Sequence, residues 1–255
     1  MDVVAKKESV SVEELCQNFH VSSVTIRKDL TELEKEGLIV RTHGGAVPVK
    51  KGTVQSKAIQ QELAGNVQQT AVSPQQLRKM QKIAEVAKDY IPNQSCIYLS
   101  SGYTCYEIAR KLQDKTLTVV TGGINTAQVL SGVPGITVML PGGTVTPTPS
   151  GTMLSGEWYL KNLDDVRVDI AFISVGGIDL EQGYSLASSS ELLHIRKLKE
   201  ISRETVIVAD STKFGLQCLL SAAPLDYIDT VITNSDIPDA YRNYYRDHGI
   251  RVLTD

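Results

Sequence analysis

The sequence predicts an α/β chain in two parts: a small N-terminal module of two helices and a hairpin, then a mostly parallel β-sheet covered by helices on both faces. Three observations predict it. Two short helical patterns joined by a tight turn precede a glycine-rich hairpin within residues 1–48. A polar stretch rich in glutamine follows over 49–75, the composition of a linker. Across 76–255, apolar runs of four to six residues alternate with amphipathic stretches, the pattern of a parallel sheet with crossover helices. The 255 residues, 42% hydrophobic with net charge −3, suit one small module attached to a larger core. Their mild acidity gives no support to nonspecific attraction to nucleic acid or to an anionic membrane.

The module reads element by element. Ser11-Val12-Glu13-Glu14 is a capping box, in which the Glu14 N–H donates to the Ser11 hydroxyl and the Glu14 carboxylate reaches back to the Ser11 N–H. The helix it opens runs to about Phe19. His20 and Val21 make the turn, and Ser22 caps a second helix whose apolar stripe is Val24, Ile26, Leu30 and Leu33. Gly37 stops it. Leu38 to Arg41 and Val47 then form two short strands around Thr42-His43-Gly44-Gly45-Ala46, a β-wing behind a helix-turn-helix.

Ser23, Thr25, Arg27 and Lys28 lie at the amino end of the second helix, where a recognition helix meets the major groove. Arginine is the preferred bidentate partner of guanine, while hydroxyls reach phosphates or bases. Arg41 and His43 are placed on the wing to touch backbone or minor groove. Over residues 1–50 seven Lys/Arg face eight Asp/Glu, so position must supply what total charge does not; Glu32, Glu34 and Glu36 fall toward the far end of the helix. The competing reading is a charged helix packed on a hairpin that contacts only other proteins.

In the larger part the strand-like runs are 96–99, 117–120, 137–140, 170–175, 205–209, 230–233 and 251–253. Helical patterns cover 77–90, 105–112, 126–130, 153–163, 190–202 and 239–248. Parallel sheets bind ligands at the carboxyl ends of their strands, and those ends carry glycine and hydroxyl residues here. Ser100-Ser101-Gly102-Tyr103-Thr104 opens directly onto a helix, a place for an anion on free N–H groups. Gly122-Gly123, Gly142-Gly143, Gly176-Gly177 with Asp179, and Asp210 with Lys213 follow the next four strands. Each glycine alone could simply make a turn. Together the five loops suggest a pocket for a small polar anion with Lys213 as point charge. The tyrosines Tyr227, Tyr241, Tyr244 and Tyr245 serve either the core or a subunit contact, with the core favoured.

The four cysteines contain no Cys-x-x-Cys pair and the four histidines are isolated, so neither a metal site nor a disulfide framework is expected. No cofactor is implied. No apolar run approaches a membrane span and no signal peptide opens the chain, which places the protein in the cytoplasm.

With these residues in place the sequence resembles the DeoR family of bacterial transcriptional regulators. Val21-Ser22-x-x-Thr25-Ile26-Arg27-Lys28-Asp29-Leu30-x-x-Leu33-x-x-x-Gly37-Leu38 followed by Arg41-x-His43-Gly44-Gly45-Ala46 is similar to its N-terminal signature. Ser101-Gly102-x-Thr104, Gly142-Gly143, Phe172, Gly177-Ile178-Asp179, Glu191 and Asp210-Ser211-x-Lys213-Phe214-Gly215 continue the resemblance through nearly the whole chain. It implies a winged helix-turn-helix fused to a sensor domain similar in fold to ribose-5-phosphate isomerase. It further implies a repressor of a sugar catabolic operon, binding double-stranded operator DNA and controlled by a small phosphorylated sugar. By the same resemblance Ser22, Thr25, Arg27, Lys28, Arg41 and His43 contact DNA; Ser101, Gly102 and Thr104 form a phosphate loop, and Lys213 meets the effector.

The chain departs from the family pattern at several points. Ser100 and Gly176 stand where aspartate is common, Ser190 where the first of two glutamates is usual, and Gly122-Gly123 where Asn-Ser is usual. Losing these groups is expected to weaken recognition of a hydroxyl-rich monophosphate and make room for a larger or more anionic ligand. Met1 to Lys7 supply at most the last turns of the family's first helix, so either the start lies upstream or the module is less stable than usual. Two alternatives remain: a sugar-phosphate isomerase, for which Asp179, Glu191 and Asp210 are an incomplete acid–base set, and an adaptor with a degenerate sensor. A regulator of this kind is expected to be a homo-oligomer, dimer or tetramer, because paired recognition helices gain from effective concentration.

Overall fold

The computed structural model describes residues 10–19, 21–35, 39–42, 45–48, 72–148 and 151–255. They fall into two compact units, Met1–Ser56 and Lys57–Asp255.

The first unit contains β1 (Val10–Ser11), α1 (Val12–Phe19), α2 (Ser23–Lys35), β2 (Ile39–Thr42) and β3 (Gly45–Pro48). Its helix starts follow the hydroxyls. The Glu14 N–H donates to Ser11 Oγ at 3.0 Å, and the Thr25 N–H to Ser22 Oγ at 3.3 Å. Leu15, Ile26 and Leu30 form the core, with Val12, Cys16 and Leu33 packed against it. Val24 does not belong to that stripe: it is 75% exposed. Two residues before Ile26 place it about 200° around the helix, on the opposite side. The wing is a three-stranded sheet rather than a hairpin alone, with β2 antiparallel to β3 and β1 on the other edge of β3, Ser11 opposite Gly45. Ser11 therefore ends a strand and caps a helix at once. Gly37, Leu38 and the start of the chain up to residue 9 lie outside the described residues.

The second unit opens with α3 (Pro74–Tyr90), which starts three residues before the apolar periodicity does. Ser73 and Gln76 form a capping box and Pro74 takes the first helical position, signals of chain polarity rather than of hydrophobic spacing. Then follow β4 (Ser95–Leu99), α4 (Tyr103–Lys111), β5 (Leu117–Thr121), α5 (Ile124–Leu130), β6 (Ile136–Met139), β7 (Thr144–Thr148) and β8 (Gly151–Ser155). Next come α6 (Glu157–Asn162), β9 (Val168–Ile173), β10 (Gly177–Asp179), β11 (Gly183–Leu186), α7 (Ser189–Ile201) and β12 (Ser202–Val208). The unit finishes with β13 (Leu220–Ala223), β14 (Thr230–Thr233), α8 (Asp239–Asp247) and β15 (Arg251–Thr254).

Among the described residues seven strands form one parallel sheet in the order β15-β14-β12-β9-β4-β5-β6. Both faces are buried, which is why its strands read as unbroken apolar runs. In β4, Ile97 and Leu99 pack toward one core with Ile83, Ala87 and Ile108, while Tyr98 faces the other with Ile207 and Leu198. The second core also takes in Tyr241 and Tyr245; the Tyr245 hydroxyl lies 3.0 Å from that of Tyr184, and Phe214 meets Tyr241 edge to face. Tyr227 and Tyr244 pack against the same cluster.

A helix expected over 153–163 is instead strand β8 followed by the shorter α6. Gly156, at φ +94°, breaks the chain between them, and Met153 pairs with Thr146 of β7. The antiparallel β10-β11-β13 sheet was not readable either, because its strands are three or four residues long and mix glycine with polar side chains.

Candidate functional site

Every strand of the parallel sheet points its carboxyl end to the same edge, so the five glycine- and hydroxyl-bearing loops do share that edge. The structure draws only some of their residues together. A cavity there is lined by Ser100 and Ser101 after β4, Ser174 after β9, and Glu191 and His194 from α7, above Tyr98. Met153, Ile173, Leu186, Ile195 and Leu198 complete it. On α7, Glu191, His194, Ile195 and Leu198 follow the i, i+3, i+4, i+7 spacing of one helix face.

The loop after β4 is shaped by Gly102, whose φ of +143° suits glycine and whose Cβ, were it present, would stand 2.9 Å from Ser174. It precedes α4, whose start carries no side-chain cap, the kind of helix terminus that suits an acceptor. Ser100 is turned inward: its Oγ accepts from the Ser174 N–H at 2.9 Å and ties the ends of β4 and β9 together. Where an aspartate was expected, a neutral hydroxyl holds the two central strands.

Two other departures, Gly122 and Gly176, are filled rather than open. A Cβ on Gly122 would stand 2.6 Å from Tyr159 Oη, and one on Gly176 would stand 2.6 Å from Cys218 Sγ. Tyr159 is fully buried and hydrogen-bonds the Tyr98 hydroxyl beneath the cavity. The extra room expected for a larger or more anionic ligand is therefore absent at both positions. Burial pushes the Tyr159 hydroxyl up to about 12, so it stays protonated. Burial also raises the Cys218 thiol, against the Ser185 hydroxyl and the Lys213 charge, which lower it; Glu191 raises it further.

Several expected residues serve the fold around the cavity without lining it. Burial works to raise the Asp179 carboxyl, but the N–H groups of Gln182 and Glu181 outweigh it and hold the group below its usual range. It thus caps the β10–β11 turn. Asp210 Oδ1 accepts from the Thr212 N–H at 2.9 Å and from the Thr212 hydroxyl, whereas Oδ2 is buried without a partner. This cap shapes the short 3₁₀ turn Ser211–Lys213. The same turn is held from α3, by Lys79 Nζ donating to Ser211 Oγ at 2.7 Å. Lys213 forms no ion pair among the described residues. Tyr103 and Thr104 sit in the first turn of α4, and Gly142, Gly143, Gly123 and Gly177 lie in turns and close backbone contacts.

His194 was not singled out in the sequence. It is 6% exposed, its ring lies 4.5 Å from that of Tyr159, and burial drives its pKa from 6.5 down to about 4, which keeps it neutral. Its place in a helical stripe of Ile195 and Leu198, three residues after Glu191, was the available signal. Met153 and Ser174 were missed because each reaches the cavity through pairing of segments distant in sequence, and Tyr98 because it reads as one more residue of an apolar strand.

In the first unit, Ser22, Ser23, Thr25 and Lys28 are exposed at the amino end of α2, beside Val24. The Ser22 hydroxyl is engaged as the helix cap and lies 3.0 Å from that of Thr25. The side chains of Arg27 and Arg41, and all of His43, lie outside the described residues. Among the described residues no helix is long and apolar enough to cross a membrane, and no three His, Cys, Asp or Glu side chains cluster as for a metal.

Comparisons with known proteins match both units. Residues 1–51 match the model of the DeoR-like helix-turn-helix domain, and 75–235 that of the DeoR C-terminal sensor domain. The regulator GolR of Listeria innocua is 31% identical over 248 residues, 97% of this chain and 92% of that protein. The glycerol-3-phosphate regulon repressor of Escherichia coli is 28% identical over 253 residues, 99% and 95%. Ribose 5-phosphate isomerase A of Methanocaldococcus jannaschii overlaps 56% of this chain and 55% of its own at 16% identity and a TM-score of 0.40. With both its DNA-binding and its sensor segments matched, the chain belongs to the DeoR family of helix-turn-helix transcriptional regulators.

Proposed function

We propose that this protein represses a sugar catabolic operon from the cytoplasm, as a dimer or tetramer whose grip on operator DNA changes when a phosphorylated sugar enters its sensor unit. The observation that carries this reading is a hydroxyl-lined cavity at the carboxyl edge of a parallel sheet, in the same chain as an exposed, polar recognition-helix end. The relatives' names support it, since one represses a glycerol-3-phosphate regulon. Ser22, Ser23, Thr25, Arg27, Lys28, Arg41 and His43 form the DNA face. Exposed Val24 adds an apolar contact of the kind thymine methyls accept. In the sensor, the first-turn N–H groups of α4 and Lys213 take the phosphate.

An isomerase needs a carboxylate placed to carry a proton between adjacent carbons, with a second group to assist. Glu191 is the one carboxylate among the described cavity residues, and Asp179 is committed to a turn. Both points favour a sensor over an enzyme. Gel-shift titration of the full chain on DNA upstream of its own gene, with and without a panel of sugar phosphates, tests the proposal. Retarded DNA that is released by one panel member is expected; no retardation at low salt defeats it.

A further inference from the structure

The effector reading leaves His194 unused. The residue is 6% exposed and stands on the cavity wall, and its ring nitrogens have no hydrogen-bond partner among the described residues. They are not sealed in the protein, where the described buried atoms without a partner are Asp210 Oδ2 and Thr233 Oγ1, so the nitrogens are open to the cavity. The imidazole is therefore explained by what it can bind.

Its chemistry is specific. Burial keeps the ring neutral, with one N–H donor and one acceptor lone pair. Such a ring pairs with a hydroxyl or a carbonyl. A second anionic group would require the ring to take a proton that its surroundings disfavour, and would lie beside the Glu191 carboxylate that lines the same cavity. Ile195, Leu198 and Met153 on the same wall supply no positive charge to offset it. The places beside Gly122 and Gly176 are likewise taken, by Tyr159 and Cys218.

We propose that His194 is a specificity-determining residue of the sensor site: it hydrogen-bonds the uncharged hydroxyl or carbonyl end of a phosphomonoester and disfavours ligands bearing a second anionic group. The proposal rests on the effector reading above and narrows it, from phosphorylated metabolites in general to singly phosphorylated ones with a neutral far end. A site built to hydrogen-bond such a group rejects analogues lacking it far more strongly than an apolar pocket rejects a change of size.

The test is calorimetric titration of the full chain at pH 7.5 with three matched pairs: glycerol 3-phosphate and 3-phosphoglycerate, glucose 6-phosphate and 6-phosphogluconate, fructose 6-phosphate and fructose 1,6-bisphosphate. The wild type, His194→Gln and His194→Phe are compared, with His194→Met replacing the phenylalanine variant if thermal unfolding shows that it does not fold. At least one monophosphate is expected to bind at least tenfold tighter than its doubly anionic partner. His194→Gln should retain that affinity within about threefold, and His194→Phe should lose tenfold or more of it while binding inorganic phosphate as the wild type does. A preference for the doubly anionic member, or affinities unchanged in His194→Phe, overturns the role of His194 and leaves the effector reading standing. No binding of any member to the wild type overturns both.

Discussion

The hydroxyl oxygen of Tyr159 lies 2.6 Å from the point where a Cβ on Gly122 would stand. The glycine and the tyrosine therefore share one space. The Tyr98 hydroxyl, hydrogen-bonded to that of Tyr159, crowds the same place. Gly122→Asn, which restores the residue usual in the family, is expected to destabilise the sensor unit by about 1–3 kcal/mol through overpacking. Adding Tyr159→Ala should couple to it, so that the double variant is more stable than the sum of the two changes predicts. Urea unfolding of the three variants provides the check, and a neutral Gly122→Asn would mean that the space is not shared.

Acid should weaken the sensor unit through His194. Unfolded, the ring titrates near 6.5; folded, burial holds it down to about 4. Between those values the unfolded chain binds the extra proton, so the contribution is complete above pH 6.5 and disappears as the pH falls toward 4. The size is on the order of 3 kcal/mol. Glu191 lines the same cavity, and Tyr159 and Tyr98 are the other titratable groups nearby. Urea unfolding between pH 7.5 and 4.5 should show a shallower loss for His194→Gln than for the wild type; equal slopes would remove the assignment.

Leu15, Ile26 and Leu30 are the first unit's buried core among the described residues, so Leu30→Ala, costing about 2–5 kcal/mol, should unfold it. Operator binding would vanish while effector binding to the second unit persists. Calorimetric unfolding with effector titration separates the two; loss of both functions together would show that the units do not stand alone.

On α2 the exposed Lys28 and Val24 should behave differently in DNA binding. Lys28→Ala should weaken all sequences alike and lower the salt dependence by about one ion, as expected for a phosphate contact. Val24→Ser should leave the salt dependence unchanged and cost about 1 kcal/mol only on sites with a thymine under the helix. Fluorescence anisotropy at several salt concentrations distinguishes them, and identical profiles for the two variants would defeat the division.

Much of this architecture was legible in the sequence because it rests on signals that act locally. Ser11, Ser22 and Gly102 announce helix starts, and the runs at Cys96, Leu117 and Thr230 are apolar because both faces of their sheet are covered. Val24 misled because it is apolar at a position where the helix faces solvent. The β8 strand misled because Met153 and Leu154 fit either period until Gly156 breaks the chain. The cavity was only half readable. Ser100, Ser101 and Glu191 belong to motifs, but Tyr159 and Cys218 enter by occupying space beside glycines far away in sequence. Spacing cannot reveal which distant side chain fills the place of a missing one.

The placement of β4 has a consequence for how the protein is made. Its partners are β5, paired 22 residues downstream, and β9, reached only much later; the Cys96 N–H donates to the Asp169 carboxylate across 73 residues at 2.9 Å. At about 5–20 residues per second of synthesis, that partner emerges several seconds after the strand itself. The helix-turn-helix, whose described strand pairings span at most 36 residues, can meanwhile close on the ribosome. A nascent chain thus carries a finished DNA-binding element ahead of a sensor whose apolar strands are still bare, and it is during that interval that a chaperone would have most to hold.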